Sequence, residues 1–216
     1  MLRRLRYQGY LVTHLDKTAR PNTSGTVIIL NGASSAGKTS LLRAIQTVME
    51  RPFLDAGLDR FIGMMPERYV EMPIWREMFG HMYRAGPLGN KLVKGMHQAV
   101  ASLAISGWNI VADHVFIEPE WVYDLATSLT GLRAWLIGVH CPVELLAARE
   151  RERRDRLIGQ AALHFQLAHR HGLYGLEIDT STAPPGVLAN RIKEMVESAM
   201  EPSALAKLAS LPIHDQ

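Results

Sequence analysis

The chain is 216 residues long, 47% hydrophobic and 21% charged, with a formal net charge of +3. That length and apolar content suit one α/β domain with a proper core and exclude wholesale disorder. The one cysteine, Cys141, excludes an internal disulfide framework and a cysteine-rich zinc site.

No apolar run approaches the ~20 residues that a membrane helix needs. The expectation is therefore a cytoplasmic, reducing compartment with no membrane partner. Arginines gather in the first residues and between Arg149 and Arg156. That clustering favours a local anion site over a basic coat for nucleic acid, so no nucleic-acid partner is expected.

Residues 1–25 read as a polar, basic N-terminal extension that closes in the turn-rich Pro21-Asn22-Thr23-Ser24-Gly25. Thr26 to Asn31 is a β-branched, almost wholly apolar run, the signature of a strand buried on both faces. Gly32 to Lys38 is a glycine- and serine-rich turn. Leu41, Leu42, Ile45, Val48 and Met49 then recur at helical spacing. A second short apolar segment, Phe53 to Leu58, ends at Asp59.

Residues 61–90 are rich in methionine, aromatics and proline and read as an acceptor-binding region with short helices. Met64, Met65, Trp75, Phe79, Met82 and Tyr83 are candidates to line it, or plain core. Leu92, Val93, Met96, Ala99, Val100 and Leu103 form a helical face stopped by Gly107. Asn109 to Val115 is a third strand, and Glu118 to Leu129 a helix with Pro119 in its first turn. Ala134 to Cys141 is a fourth strand. Residues 143–160 read as a charged, helical lid. Leu176 to Asp179 is a fifth strand and Gly186 to Met200 a last helix of the 26–200 domain, leaving residues 201–216 as a weakly patterned tail.

Strands alternating with helices imply right-handed crossovers, a parallel sheet and helices on both faces. Ligands of such sheets sit beyond the carboxyl ends of the strands. The polar residues expected there are Gly32 to Thr39, Asp59, Asp113, His114 and Asp179.

Gly32-Ala33-Ser34-Ser35-Ala36-Gly37-Lys38-Thr39, followed by Ser40, fits G-x-x-x-x-G-K-[ST] at every fixed position. Small residues let consecutive N–H groups turn inward around phosphate oxygens, and the helix that follows adds its positive end. Lys38 sets a cation against the β- and γ-phosphates, and Thr39 offers a hydroxyl to Mg²⁺. ATP and Mg²⁺ are the expected cofactors.

Arg149, Arg153 and Arg156 are four and three residues apart and share one helix face. They fit a lid that neutralises a transferring phosphoryl group, with Arg149 against the adenine; a solvated helix laced with Glu150, Glu152 and Asp155 is the bland alternative. Asp59 fits a general base for an acceptor hydroxyl, or a helix cap. Asp113 fits the Mg²⁺ shell, or a partner that orients Lys38 or Thr39. His114 alternates to the other side of the strand and reads as packed. Asp179 to Thr182 reads as an adenine-side loop or an ordinary turn. His164, His169 and His171 read as surface residues.

Ile28 to Thr39 (IILNGASSAGKT) resembles the opening of the chloramphenicol phosphotransferase-like family. Phe53 to Ile62, Ile110 to Phe116 and Arg149 to Gly159 resemble that family's second strand with its acid, its third strand and its arginine-rich lid. The likeness runs from about Thr26 to about Val196. Ala33 departs from a glycine common in the loop, His114 stands where a second Asp is expected, and residues 61–90 match poorly.

The resemblance implies a three-layer α/β/α P-loop NTPase fold, nucleotide-kinase-like, with a five-stranded parallel sheet and a helical arginine-rich lid. It implies transfer of the γ-phosphate of ATP to a small-molecule alcohol, chloramphenicol first, with Asp59 as base. Lys38, Arg153 and Arg156 would assist. A metabolite kinase and a non-catalytic nucleotide-binding switch are the competing readings, and assembly into a homo-oligomer stays open.

Overall fold

Every residue of β1 (Val27–Asn31) is buried. Val27 and Ile29 point into one hydrophobic core, while Ile28 and Leu30 point into another on the opposite face. A strand that feeds two cores has no polar face, which is why it reads as an unbroken apolar run. The computed structural model describes residues 24–69, 85–152, 159–198 and 200–211.

Four strands join β1: β2 (Phe53–Asp55), β3 (Asn109–His114), β4 (Ala134–His140) and β5 (Leu176–Asp179). The sheet runs β2-β3-β1-β4-β5, and each pairing is parallel. Register Asn31↔His114 brings the ends of β1 and β3 level, while Asn31↔Gly138 leaves β4 to run on to His140 beside β5.

The helices are α1 (Lys38–Val48), α2 (Leu58–Ile62), α3 (Pro87–Ile105), α4 (Pro119–Ser128), α5 (Val143–Glu152), α6 (Gln160–Leu167), α7 (Pro185–Glu197) and α8 (Ala204–Ser210). α3, α4 and α8 cover the Val27 and Ile29 face. α1 and α7 cover the other. None of the described helices is long and apolar enough to cross a membrane.

α3 shows how local chemistry sets a boundary. It starts at Pro87, five residues before the apolar face begins at Leu92, because proline suits the first helical position. It ends as the sequence predicts. Gly107 takes φ +93°, its N–H reaches Ala104 O (2.9 Å), and the Trp108 N–H reaches Leu103 O (3.1 Å).

Three expectations are corrected. β2 stops at Asp55 rather than running to Leu58, because Gly57 caps a new helix, α2, at Leu58. α6 had no counterpart in the sequence reading. Ala204, Leu205 and Leu208 of α8 are buried against the core of α4, so this part of the tail is structured. Trp75, Phe79, Met82 and Tyr83, with the rest of residues 70–84, lie outside the described residues.

Candidate active site

The chain between β1 and α1 is shaped by three backbone constraints. At Gly32 a Cβ would lie 2.2 Å from Val139 O, so no side chain fits. Ser35 and Gly37 adopt positive φ, 62° and 88°, which curls the loop back on itself. α1 then begins at Lys38, and Thr39 and Ser40 are exposed on its first turn.

Lys38 is only 8% exposed. Its Nζ donates to Gly32 O (2.8 Å) and Ala33 O (2.7 Å), so the ammonium lies inside the turn of the loop. Ala33, Ser34 and Ala36 are buried, and the Ser35 Oγ is buried with no partner among the described residues.

A second wall closes on the loop from β4, α5 and β5. The Thr180 hydroxyl donates to Ala36 O (2.8 Å). Arg149 Nη1 lies 3.3 Å from Thr180 Oγ1, 3.4 Å from Cys141 Sγ and 3.5 Å from Ser35 O. Arg149 and the Asp179 to Thr182 loop therefore meet the glycine-rich loop on one side. Arg153 and Arg156 lie outside the described residues.

The carboxylates gather at the other side. Asp113 is close enough to Lys38, Asp59 and Asp55 to feel all three charges. Burial raises its pKa most, Lys38 opposes that, and the two neighbouring aspartates add to it. Gly57 makes this approach feasible, since a Cβ there would sit 2.0 Å from Asp113 Oδ1.

Asp59 is not at a strand end, as the sequence placed it. It is an exposed residue in the first turn of α2, and Gly57, not Asp59, holds the cap position. Asp55 is the last residue of β2. It accepts from the Gly57 N–H (3.2 Å) and pairs with Arg60 (2.7 Å). It thereby fixes the turn that presents Asp59.

His114 is packed, as its alternation predicts, at 1% exposure. Its Nε2 lies 3.1 Å from His97 Nε2, and His97 Nδ1 lies 2.5 Å from Asp124 Oδ2. Desolvation pushes both imidazoles below their ordinary pKa.

The surface reading of His164, His169 and His171 is overturned. His164 is buried in α6, and the other two are half-buried. His169 Nδ1 meets Tyr174 Oη at 2.7 Å, and its ring stacks on His140 at 4.1 Å between centroids. Tyr174 Oη in turn accepts from Asn31 Nδ2 (2.7 Å).

Sequence reasoning also missed Glu150, which it named only as one of the acids interleaved among the arginines of this helix. It is 3% exposed. Its two oxygens accept from the N–H groups of Gly159 (2.8 Å) and Ala161 (2.7 Å), capping α6 from α5. A Glu followed some ten residues later by Gly is too weak a signal to predict this. No cluster of three or more His, Cys, Asp or Glu side chains among the described residues is arranged to hold a metal by itself.

Residues 25–197 match the chloramphenicol phosphotransferase-like protein family. A protein of Mycobacterium tuberculosis H37Rv named "Putative O-phosphotransferase" is 30% identical over 197 residues, covering 85% of this chain and 88% of that one. The fold is shared with an adenylylsulfate (APS) kinase of M. tuberculosis solved with AMPPNP and APS (TM-score 0.58, 14% identity, 82% of this chain and 99% of that one). It is shared equally with a tunicamycin resistance protein of Deinococcus radiodurans (TM-score 0.58, 14% identity, 82% and 99%). A shikimate kinase of Acinetobacter baumannii in complex with shikimate has the same fold (TM-score 0.55, 17% identity, 80% and 93%). The chain thus belongs to the chloramphenicol phosphotransferase-like family, as a phosphotransferase enzyme on the P-loop kinase fold.

Proposed function

We propose that this chain transfers the γ-phosphoryl group of ATP to the hydroxyl of a small molecule. The observation that carries the reading is the Lys38 ammonium, buried inside a loop curled by the left-handed Ser35 and Gly37 and bordered by a desolvated aspartate. A triphosphate entering the loop exchanges the two carbonyl partners of Lys38 for phosphate oxygens. The N–H groups of Ser34 to Thr39 complete the grip.

The acceptor lies against Asp59. As the acceptor oxygen attacks the γ-phosphorus, its O–H proton passes to the Asp59 carboxylate. The new O–P bond forms while the bond from phosphorus to the β,γ-bridging oxygen breaks, and ADP leaves with that electron pair. Asp59 suits this task because it is a carboxylate exposed on a turn fixed by Asp55 and Arg60. Arg149 holds the nucleotide from the β5 side, and Arg153 and Arg156 complete the lid over the transferring group.

The donor set fits Mg²⁺. A threonine hydroxyl and one carboxylate are the oxygen ligands that a phosphate-bound, largely hydrated magnesium takes from protein, and Asp113 loses its desolvation penalty beside a dication. Thr39 and Asp113 would hold the ion directly or through water. When bound, the ion neutralises charge on the triphosphate.

Chloramphenicol is the first acceptor to try, on the strength of the family. A metabolite alcohol of the sugar, nucleoside or shikimate type is the second, since kinases of that kind share the fold. The test is a mass-resolved screen of Mg·ATP consumption over hydroxyl-bearing antibiotics and metabolites. A phosphorylated product carrying one added phosphoryl group is expected. Absence of any Mg·ATP or Mg·GTP binding by calorimetry would defeat the reading.

A further inference from the structure

Glu118 is 6% exposed, and the transfer step makes no use of it. It holds the cap position of α4, yet its side chain makes no bond to that helix. Its carboxylate accepts instead from the Ala85 N–H, 33 residues away. A carboxylate is costly to bury, so one buried on a single main-chain N–H marks that N–H as a place that is held.

The other backbone group of Ala85 is held as well. Its O accepts from Asn90 Nδ2 (3.0 Å), and Asn90 Oδ1 accepts from Trp121 Nε1 (2.7 Å). Ala85 is thus gripped by both its N–H and its C=O. It lies just before Gly86, the cap of α3, where residues 61–90 join that helix.

Two residues before Glu118, the Phe116 N–H donates to Asn31 Oδ1 (3.1 Å). Asn31 is fully buried and precedes Gly32. The Gly32 O accepts from Lys38 Nζ, and the Gly32 N–H reaches His114 O (3.3 Å). Phe116, Ile117 and Glu118 are all buried, and the Ile117 N–H closes on Val115 O (2.9 Å). A strap of three buried residues therefore has one end on the root of the glycine-rich loop and the other on Ala85. Both junctions are hydrogen bonds shielded from water, where an unmade bond is costly. A triphosphate that takes Lys38 from the Gly32 O changes the bonding of the residue next to Asn31, at the strap's first end.

We propose that Glu118 is a positioning residue. It fixes the end of the acceptor-binding region against the loop that grips the triphosphate, so that nucleotide binding orders Ala85. This rests on the phosphotransfer reading above and adds a residue that serves it through Ala85.

The experiment follows backbone hydrogen exchange of the full chain with and without saturating Mg·AMPPNP. The nucleotide is expected to slow exchange at Ala85 at least ~5-fold in the unsubstituted chain. Glu118→Leu, which removes the oxygen, is expected to speed Ala85 exchange at least ~10-fold without nucleotide and to abolish the nucleotide's effect there. Glu118→Gln keeps one such oxygen and is expected to restore both. Residues Lys38 to Leu42 are the control, since Mg·AMPPNP should protect them in every variant and a general loss of stability would show there too.

Exchange at Ala85 that is indifferent to Mg·AMPPNP, while Lys38 to Leu42 are protected, would overturn the inference, and that comparison needs no variant to fold. A nucleotide effect at Ala85 that survives Glu118→Leu would overturn it too. A chain that binds no Mg·AMPPNP by calorimetry would sink phosphotransfer and this inference with it, a result that calorimetry tells apart from the other two.

Discussion

Gly57 and Asp113 occupy what would be the same space if residue 57 had a side chain, since a Cβ there falls 2.0 Å from Asp113 Oδ1. The glycine lets the turn after β2 close over a carboxylate from β3. Gly57→Ala must displace that carboxylate, whose tip can swing away. Transfer should fall at least ~10-fold with little change in stability. Gly32→Ala meets the Val139 backbone oxygen instead, and a strand cannot swing. That change should cost about 1–3 kcal/mol of stability in urea denaturation.

Lys38→Ala and Asp59→Asn separate grip from chemistry. Lys38→Ala should abolish measurable transfer and weaken Mg·ATP binding, with the far-UV spectrum unchanged. Asp59→Asn should leave Mg·ATP binding intact while transfer falls at least ~10²-fold. Asp59 is exposed, so its melting temperature should barely move. A normal rate in Asp59→Asn would remove it as base.

Glu150→Gln keeps the shape of the side chain but turns one acceptor into a donor facing a backbone N–H. With the position 3% exposed, the mismatch should cost about 1–3 kcal/mol. Because Arg149 adjoins Glu150, the KM for ATP should rise more than kcat falls. Glu152→Gln, at an exposed position on the same helix, is the control that should change neither.

Stability should drain away in mild acid. Desolvation lowers the pKa of His97 and His114 and takes His169 and His171 down to about 4. The unfolded chain binds these protons once pH drops below about 6.5, while the folded chain resists. Their stabilising contribution is therefore complete above that value and shrinks as pH falls toward 4. Urea midpoints at stepped pH should show this slope. His169→Phe should make it shallower, and an unchanged slope would refute the assignment.

The phosphate loop was legible because its chemistry is local. Eight consecutive residues specify the curl, the cation and the hydroxyl, and a strand and a helix confirm the setting. The parallel sheet was legible for a similar reason, since strands buried on both faces announce themselves.

What escaped depends on contacts between distant positions. Nothing around His171 in sequence signals that Asn31, 140 residues away, will face it. Glu150 resembles its solvated neighbours until α6 supplies two N–H groups. β2 was drawn too long because Ala56-Gly57-Leu58 continues an apolar run while the backbone turns at Gly57. Asp59 was consequently placed on a strand that had already ended.

Asn31 ties the Phe116 backbone and the Tyr174 hydroxyl to the residue from which the glycine-rich loop departs. A displacement of Phe116 that carried Asn31 with it would reach the mouth of the glycine-rich loop, and a coupling of that kind would act with equal strength in both directions. A cargo seated beside Phe116 would announce itself as a changed affinity for the triphosphate. The chain would then spend phosphate mainly when something is present to receive it, with water a poor competitor.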